Sequence, residues 1–170
     1  MKNSINIRPC FYDDEDVIVQ IMNHGISSWA NAYQEPFDWI DGAAWFKKLR
    51  DSALRLIVCE QDRRVVGWAS LSDYREARPA LARVKEVTFY VHKDFQRQGV
   101  ATKMIEYLEQ ECEQLKVEHL AAILLSDNVG SRKLLEKNGY FVFGLFEGVV
   151  RFGRHDTGHL YMGKHLNNHS

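Results

Sequence analysis

The chain has 170 residues, 45% of them hydrophobic and 26% charged, which suits one globular domain over residues 1–170 with a real core and leaves no room for a second. Its 22 Lys and Arg stand against 23 Asp and Glu, a formal charge of -1, so no global basic field exists to hold nucleic acid or an anionic membrane, and a small or local partner is expected. Cys10, Cys59 and Cys112 are odd in number, far apart and without a Cys-x-x-Cys pair, which fits a reducing cytosol rather than a disulfide framework or a zinc knuckle. Met1 to Asn6 lead straight into charged sequence without an apolar run, and no stretch approaches the roughly 20 apolar residues that span a bilayer. A cytoplasmic protein with no membrane or nucleic-acid partner is expected.

Ile5 and Ile7 alternate with polar residues before Pro9 and predict a short edge strand. Asp13 is placed to cap a helix in which Val17, Ile18, Ile21 and Met22 recur at helical spacing, with a stop near His24-Gly25. A loop carrying Trp29, Tyr33 and Pro36 leads to a second helix from Asp38 or Asp41, with Trp45, Phe46 and Leu49 on its apolar face. Leu54–Cys59 and Val65–Leu71 are β-rich runs joined as a hairpin through Gln61 to Arg64, and Val84–Val91 alternates as a further strand.

The polar Lys93–Gly99 loop follows, then a long helix whose stripe is Ala101, Met104, Ile105, Leu108, Cys112 and Leu115. His119–Leu125 reads as a compact strand, and Ser126, Asp127 and Asn128 offer N-caps for a helix over Val129–Asn138 that Gly139 ends in a left-handed conformation. Tyr140–Phe146 and Leu160–Met162 supply the last strands, joined through a turn from Gly148 to Gly153. The order predicts an α/β (α+β) domain, a mixed, mostly antiparallel sheet of six to seven strands flanked by about four helices, with one parallel pair where a long helix crosses between strands.

The segment Gln96-Arg97-Gln98-Gly99-Val100-Ala101-Thr102 is the first candidate site. A pyrophosphate needs converging backbone N–H groups, a glycine that lets the chain approach, and the partial positive charge of a helix N-terminus. Gly99 supplies the approach, Ala101 and Thr102 open the helix, and Arg97 adds a charge. A Walker-type loop is disfavoured, because Lys103 has no Gly-x4-Gly frame before it.

Glu86-Val87-Thr88-Phe89-Tyr90-Val91, the Gln96-x-x-Gly99-x-Ala101 loop, Asn128-Val129-Gly130-Ser131 and Glu136-Lys137-Asn138-Gly139-Tyr140 fall in the order and spacing of the GNAT superfamily, which the chain resembles over nearly its full length. More narrowly, Ile21-Met22-Asn23-His24, Glu35-Pro36, Trp39-Ile40-Asp41, Val66-Gly67 and His155-Asp156 look like the phosphinothricin and methionine sulfoximine N-acetyltransferases. The resemblance implies acetyl-CoA as cosubstrate, no metal, and a homodimer. It implies that backbone groups of Phe89 and Val91 pair with the pantetheine arm and that amides from Arg97 to Thr102 hold the pyrophosphate. Asn128 would hydrogen-bond the pantetheine, with Ser131 as a further contact; read alone, Asn128 is an N-cap, and it can be both.

By the same resemblance Glu86 is the catalytic carboxylate, acting directly or through a water. An alkylamine is mostly protonated at neutral pH, with a pKa near ~10.4, and only its neutral form attacks a thioester, so a base is required. The oxyanion formed on attack would lie against a backbone N–H of the Phe89–Val91 segment. None of the cysteines sits beside a paired histidine, so direct transfer in a ternary complex is expected. Leu135 stands where many relatives carry a Tyr or His that protonates the leaving thiolate, and a thiol with a pKa near ~8.5 can leave without one.

Tyr74, Arg75 and Arg78 are the candidate acceptor-binding residues, Arg78 matching an arginine that faces a substrate carboxylate in the resembling enzymes. Glu76 and Leu81 stand where those enzymes carry a second arginine and an aromatic residue. His155 and His159 lie roughly 13 Å apart if on one strand, too far to share an ion, so a structural or dimer-interface role is expected for the strand histidine. Trp29, Tyr33 and Trp45 are read as core or pocket wall. The acceptor classes consistent with these residues are a small primary amine, such as phosphinothricin or methionine sulfoximine, a peptide or protein amine, and an aminoglycoside. A non-catalytic acyl-CoA-binding module is the alternative from a different class.

Overall fold

The computed structural model describes residues 5–166, so the first four residues of the Met1–Asn6 run lie outside the described residues. Among the described residues, seven strands form one sheet in the order β1-β2-β3-β4-β5-β7-β6. They are β1 (Ile5–Pro9), β2 (Ala53–Gln61), β3 (Arg64–Asp73), β4 (Val84–Val91), β5 (His119–Leu125), β6 (Phe141–Phe152) and β7 (His155–His165). Four α-helices flank it, α1 (Glu15–Ser27), α2 (Trp39–Ser52), α3 (Val100–Gln114) and α4 (Val129–Lys137). Every pairing is antiparallel except that of β4 with β5, as the strand-helix-strand crossover through α3 demands.

Alternation along β4 divides the core in two. Val87, Leu120, Ala122, Leu124, Leu160 and Met162 face α3 and α4, packing on Met104, Ile105, Leu108 and Leu135. Trp68 and Tyr90 face the other way, toward Ile18, Ile21, Met22 and Ile26 of α1 and Phe46 of α2. The β2–β3 hairpin turns through Asp62 and Arg63, both at positive φ, which matches the right-handed twist of the strands it joins.

Three expectations are corrected. The first helix is preceded by a 3₁₀ turn over Tyr12–Asp14, and Asp14 rather than Asp13 occupies its N-cap position. The Asp14 carboxylate is taken by the Arg8 guanidinium, at 2.7 and 2.9 Å, and by the Phe11 N–H. The helix does not stop at His24-Gly25 but runs to Ser27, because Gly25 is a packing glycine: a Cβ there would meet the Tyr90 ring at 2.7 Å. The last hairpin turns at Gly153 rather than over Gly148 to Gly153, and Gly148 lies inside β6 where the register slips between Phe146 and Val150.

Candidate active site

β4 and β5 pair at Val84 with His119, Lys85 with Leu120 and Glu86 with Ala121, and at no later position, although β4 continues to Val91 and β5 to Leu125. The strands splay from there and open a cleft of about 850 Å³ lined by Val87–Val91 on one side and Ala122–Leu124 on the other. The N–H of His92 donates to the Val66 carbonyl on the β3 side, so the odd residues of β4 turn their backbone groups the opposite way. The N–H groups of Glu118 and His119 accordingly reach the Arg83 carbonyl, and the side-chain amide of Gln96 reaches the Val91 carbonyl at 3.4 Å. Phe89 and Val91 thus present backbone groups to the cleft from a strand that has lost its neighbour there, the place where an extended ligand can add as a strand.

The far end of the cleft is built by the loop after β4. Gly99 is the N-cap of α3 at φ +83°, and Arg97 is also left-handed at φ +60°. No side chain caps the helix, so its first N–H groups lack a side-chain partner among the described residues, and a Cβ added at Gly99 would meet nothing within 4 Å. Gln96, Arg97, Gly99, Val100 and Ala101 line the cleft. Gln98 and Thr102 do not; the Gln98 side chain instead donates to the Asp94 carbonyl at 3.0 Å, bracing the loop.

Asn128 and Ser131 line the opposite wall. The Asn128 carbonyl oxygen accepts from the Ser131 N–H at 3.1 Å, capping α4, while its amide donates to the Ala30 carbonyl at 3.5 Å. One side chain therefore ties the helix start to the loop after α1. Leu135 is buried and lines the cleft, so no proton donor occupies that position.

Glu86, half-buried, is the last β4 residue paired with β5 and shares the face of Thr88 and Tyr90; it stands one residue before the cleft wall begins at Val87 and does not itself line the cleft. Its carboxylate has no hydrogen-bond or ion-pair partner among the described residues, and burial pushes its pKa up, opposed in part by the charge of Arg75. A carboxylate left unpaired in a desolvated place is a stronger base than an exposed one. Arg75 lies over the Tyr74 ring, 5.4 Å from its centroid. Arg78 is exposed and donates only to the Ala77 carbonyl at 3.1 Å, so the structure does not bring it to the cleft. Glu76 lines a separate shallow depression with Lys47 and Lys48 of α2.

Several lining residues had no local signal in the sequence. Tyr90 is half-buried against Gly25, and burial pushes its pKa up to about 12. His24 lines the cleft with a buried, unpartnered Nδ1 and its ring 5.0 Å from that of His92; burial first, then the electrostatic influence of His92 and Lys93, pushes its pKa down. Trp29, which the sequence places in the core or the pocket wall, lines the cleft beside Asp127, and His155 Nε2 donates to Asp127 Oδ2 at 2.7 Å. His155 and His159 lie on β7, and no group of three or more His, Cys, Asp or Glu among the described residues is placed to hold a metal ion.

Known proteins are similar to this chain in sequence and in fold. YwnH of Bacillus subtilis, whose name assigns it provisionally to phosphinothricin acetylation, is 27% identical over 86% of this chain and 90% of its own. The L-amino acid N-acyltransferase MnaT of Escherichia coli is 27% identical over 81% and 80%, and the L-methionine sulfoximine/L-methionine sulfone acetyltransferase of Salmonella typhimurium 27% over 85% and 86%. Among solved structures, a protein described provisionally as a phosphinothricin N-acetyltransferase superposes with a TM-score of 0.86 at 27% identity, covering 96% of this chain and 99% of that one. The phosphinothricin acetyltransferase of Sinorhizobium meliloti shares the fold, with a TM-score of 0.86 at 19% identity over 95% of this chain and 88% of its own. The acetyltransferase (GNAT) family profile matches residues 18–140, a span that holds the splayed strands, the phosphate-type loop and the Asn128 cap together. With that match and that geometry, the chain belongs to the GNAT family of acetyltransferases.

Proposed function

We propose that the chain, read as one domain over residues 1–170, transfers the acetyl group of acetyl-CoA to the primary amine of a small molecule, with Glu86 as the base. The observation that carries this reading is the unpaired, desolvated Glu86 carboxylate at the point where β4 and β5 part.

The cleft fits acetyl-CoA: an extended arm would lie along the free backbone of Phe89 and Val91, and a diphosphate against Arg97 and the uncapped start of α3. Asn128 and Ser131 would hold the arm from the β5 side. When bound, the cosubstrate supplies an acetyl group activated as a thioester. The protein's own part is to remove a proton from the ammonium form of the acceptor, at a Glu86 oxygen or through a water that it holds. Leu135 supplies no acid, so the thiolate takes its proton from solvent. No metal is invoked.

The acceptor is proposed to be a small amine such as an amino acid or its analogue, by kinship with relatives named for phosphinothricin, methionine sulfoximine and L-amino acids. Thiol release from acetyl-CoA across these compounds, polyamines, an aminoglycoside and short peptides tests it. Release with one class supports the reading; tight acetyl-CoA binding with silence throughout favours a binding module.

A homodimer and a cytosolic location complete the proposal. β6 is the sheet's edge, and Phe141, Phe143, Leu145 and Phe146 stand exposed along it, Phe146 by 65%. A long apolar edge strand is a hazard unless covered, and a second copy offers a self-complementary cover. Cys10, Cys59 and Cys112 are free thiols, which suits a reducing compartment, and no helix among the described residues is long and apolar enough to cross a membrane.

A further inference from the structure

Trp29 holds a left-handed backbone, φ +55°, which an L-residue adopts only against a steric penalty. The strain is held by what the side chain does. Its ring stacks on Phe152 with centroids 5.4 Å apart at 6°, and on His155 at 5.9 Å and 19°. Phe152 and His155 are register partners across the β6–β7 hairpin, so their rings lie side by side, and the indole rests flat over both from one side. His155 is anchored in turn by Asp127 at 2.7 Å, which makes the platform rigid. The opposite face of the indole is left open: Trp29 is 55% exposed although it makes two ring contacts.

Trp29 also belongs to the wall of the cleft. Trp29 lines it with Ala30, Asp127 and Asn128, and the Asn128 amide reaches the Ala30 carbonyl, so the loop carrying the indole is tied to the wall that would hold the cosubstrate. Recognition of an acceptor carboxylate has less support here, since Arg78 does not reach the cleft and Glu76 lies toward α2.

Resting on the acetyltransferase reading, we infer that the free face of Trp29 is the platform for the acceptor's body, and that among small amines, amino acids included, the enzyme favours those carrying a planar or bulky apolar group over short-chain ones. A flat aromatic group gains both apolar burial and offset stacking on such a surface.

The test compares 2-phenylethylamine with propylamine in steady-state thiol release. The wild type should favour the aromatic amine in kcat/KM by about tenfold or more, since apolar pocket contacts discriminate by about 10–200-fold. Trp29→Ala should collapse that ratio toward one through KM of the aromatic amine, and Trp29→Phe should restore part of it. A Trp29→Ala variant that slows both amines equally, or a wild type indifferent to the pair, overturns the inference. A second measurement separates the two readings: 2-phenylethylamine should perturb tryptophan fluorescence in the wild type and not in Trp29→Phe. If no amine releases thiol but this difference persists, the acetyl-transfer reading fails and the platform stands; if the difference is absent, the platform fails.

Discussion

Glu86 and Ala121 are the last residues at which β4 and β5 pair, so the proposed base stands at the edge of the opening, one residue before its wall begins at Val87. The same position leaves its carboxylate half-buried without a partner among the described residues, and a base held this way opposes folding. Its folded pKa is raised above the ordinary value of 4.5, so its contribution to stability is full at pH below that value and is lost as pH rises through the folded pKa. Glu86→Gln should therefore unfold at a higher temperature than the wild type at pH 7, and the difference should vanish on acidification toward pH ~4. Thermal melts at both pH values check it; a Gln variant less stable at pH 7 contradicts the burial argument.

Gly25 touches the Tyr90 ring from α1, and its Cβ would come within 2.7 Å of Cε1 and 2.9 Å of Cδ1. Gly25→Ala must push a ring that also packs on Trp68, at 5.1 Å. We expect a loss of about 1–3 kcal/mol in denaturant unfolding, the usual scale of overpacking, despite the better helix propensity of Ala.

Gly99 presents the opposite case. Its site is open, so an added methyl meets no protein atom, and the cost to folding is only the left-handed backbone, about 1–2 kcal/mol. Gly99→Ala should still fold, yet weaken acetyl-CoA by about tenfold or more, because the methyl stands where a diphosphate approaches the first N–H groups of α3. Calorimetric titration with acetyl-CoA beside a thermal melt separates the two effects.

Asn128 carries a cap and a tether in one side chain. Asn128→Ala should lose about 1 kcal/mol of stability and also bind acetyl-CoA less tightly, whereas Asn128→Ser keeps a capping oxygen and should lose binding alone. Equal binding by all three proteins would reduce Asn128 to a cap.

Much of this site could be read along the chain because its signals are local. Alternation marked β4, the polar stretch ending in Gly99 marked the loop, and Asn128 before an amphipathic run marked the start of α4. The parting of β4 from β5 is a tertiary event that leaves no trace in either strand's pattern. Gly25 looked like a helix stop because the ring it accommodates lies on β4, and Gly148 looked like a turn because a register slip inside a strand has the same composition. Trp29 could be read as pocket wall, but its platform comes from a hairpin at the other end of the chain.

The pH dependence of kcat/KM for wild type and Glu86→Gln, measured with the best acceptor of the amine panel, tests the central claim most directly. We predict that the wild type loses activity as Glu86 takes up its proton, at a pH above the ordinary carboxylate range, and that the variant binds acetyl-CoA normally but turns over about 10²-fold more slowly without that acid limb. Undiminished turnover by Glu86→Gln across the pH range would contradict the assignment of Glu86 as the base.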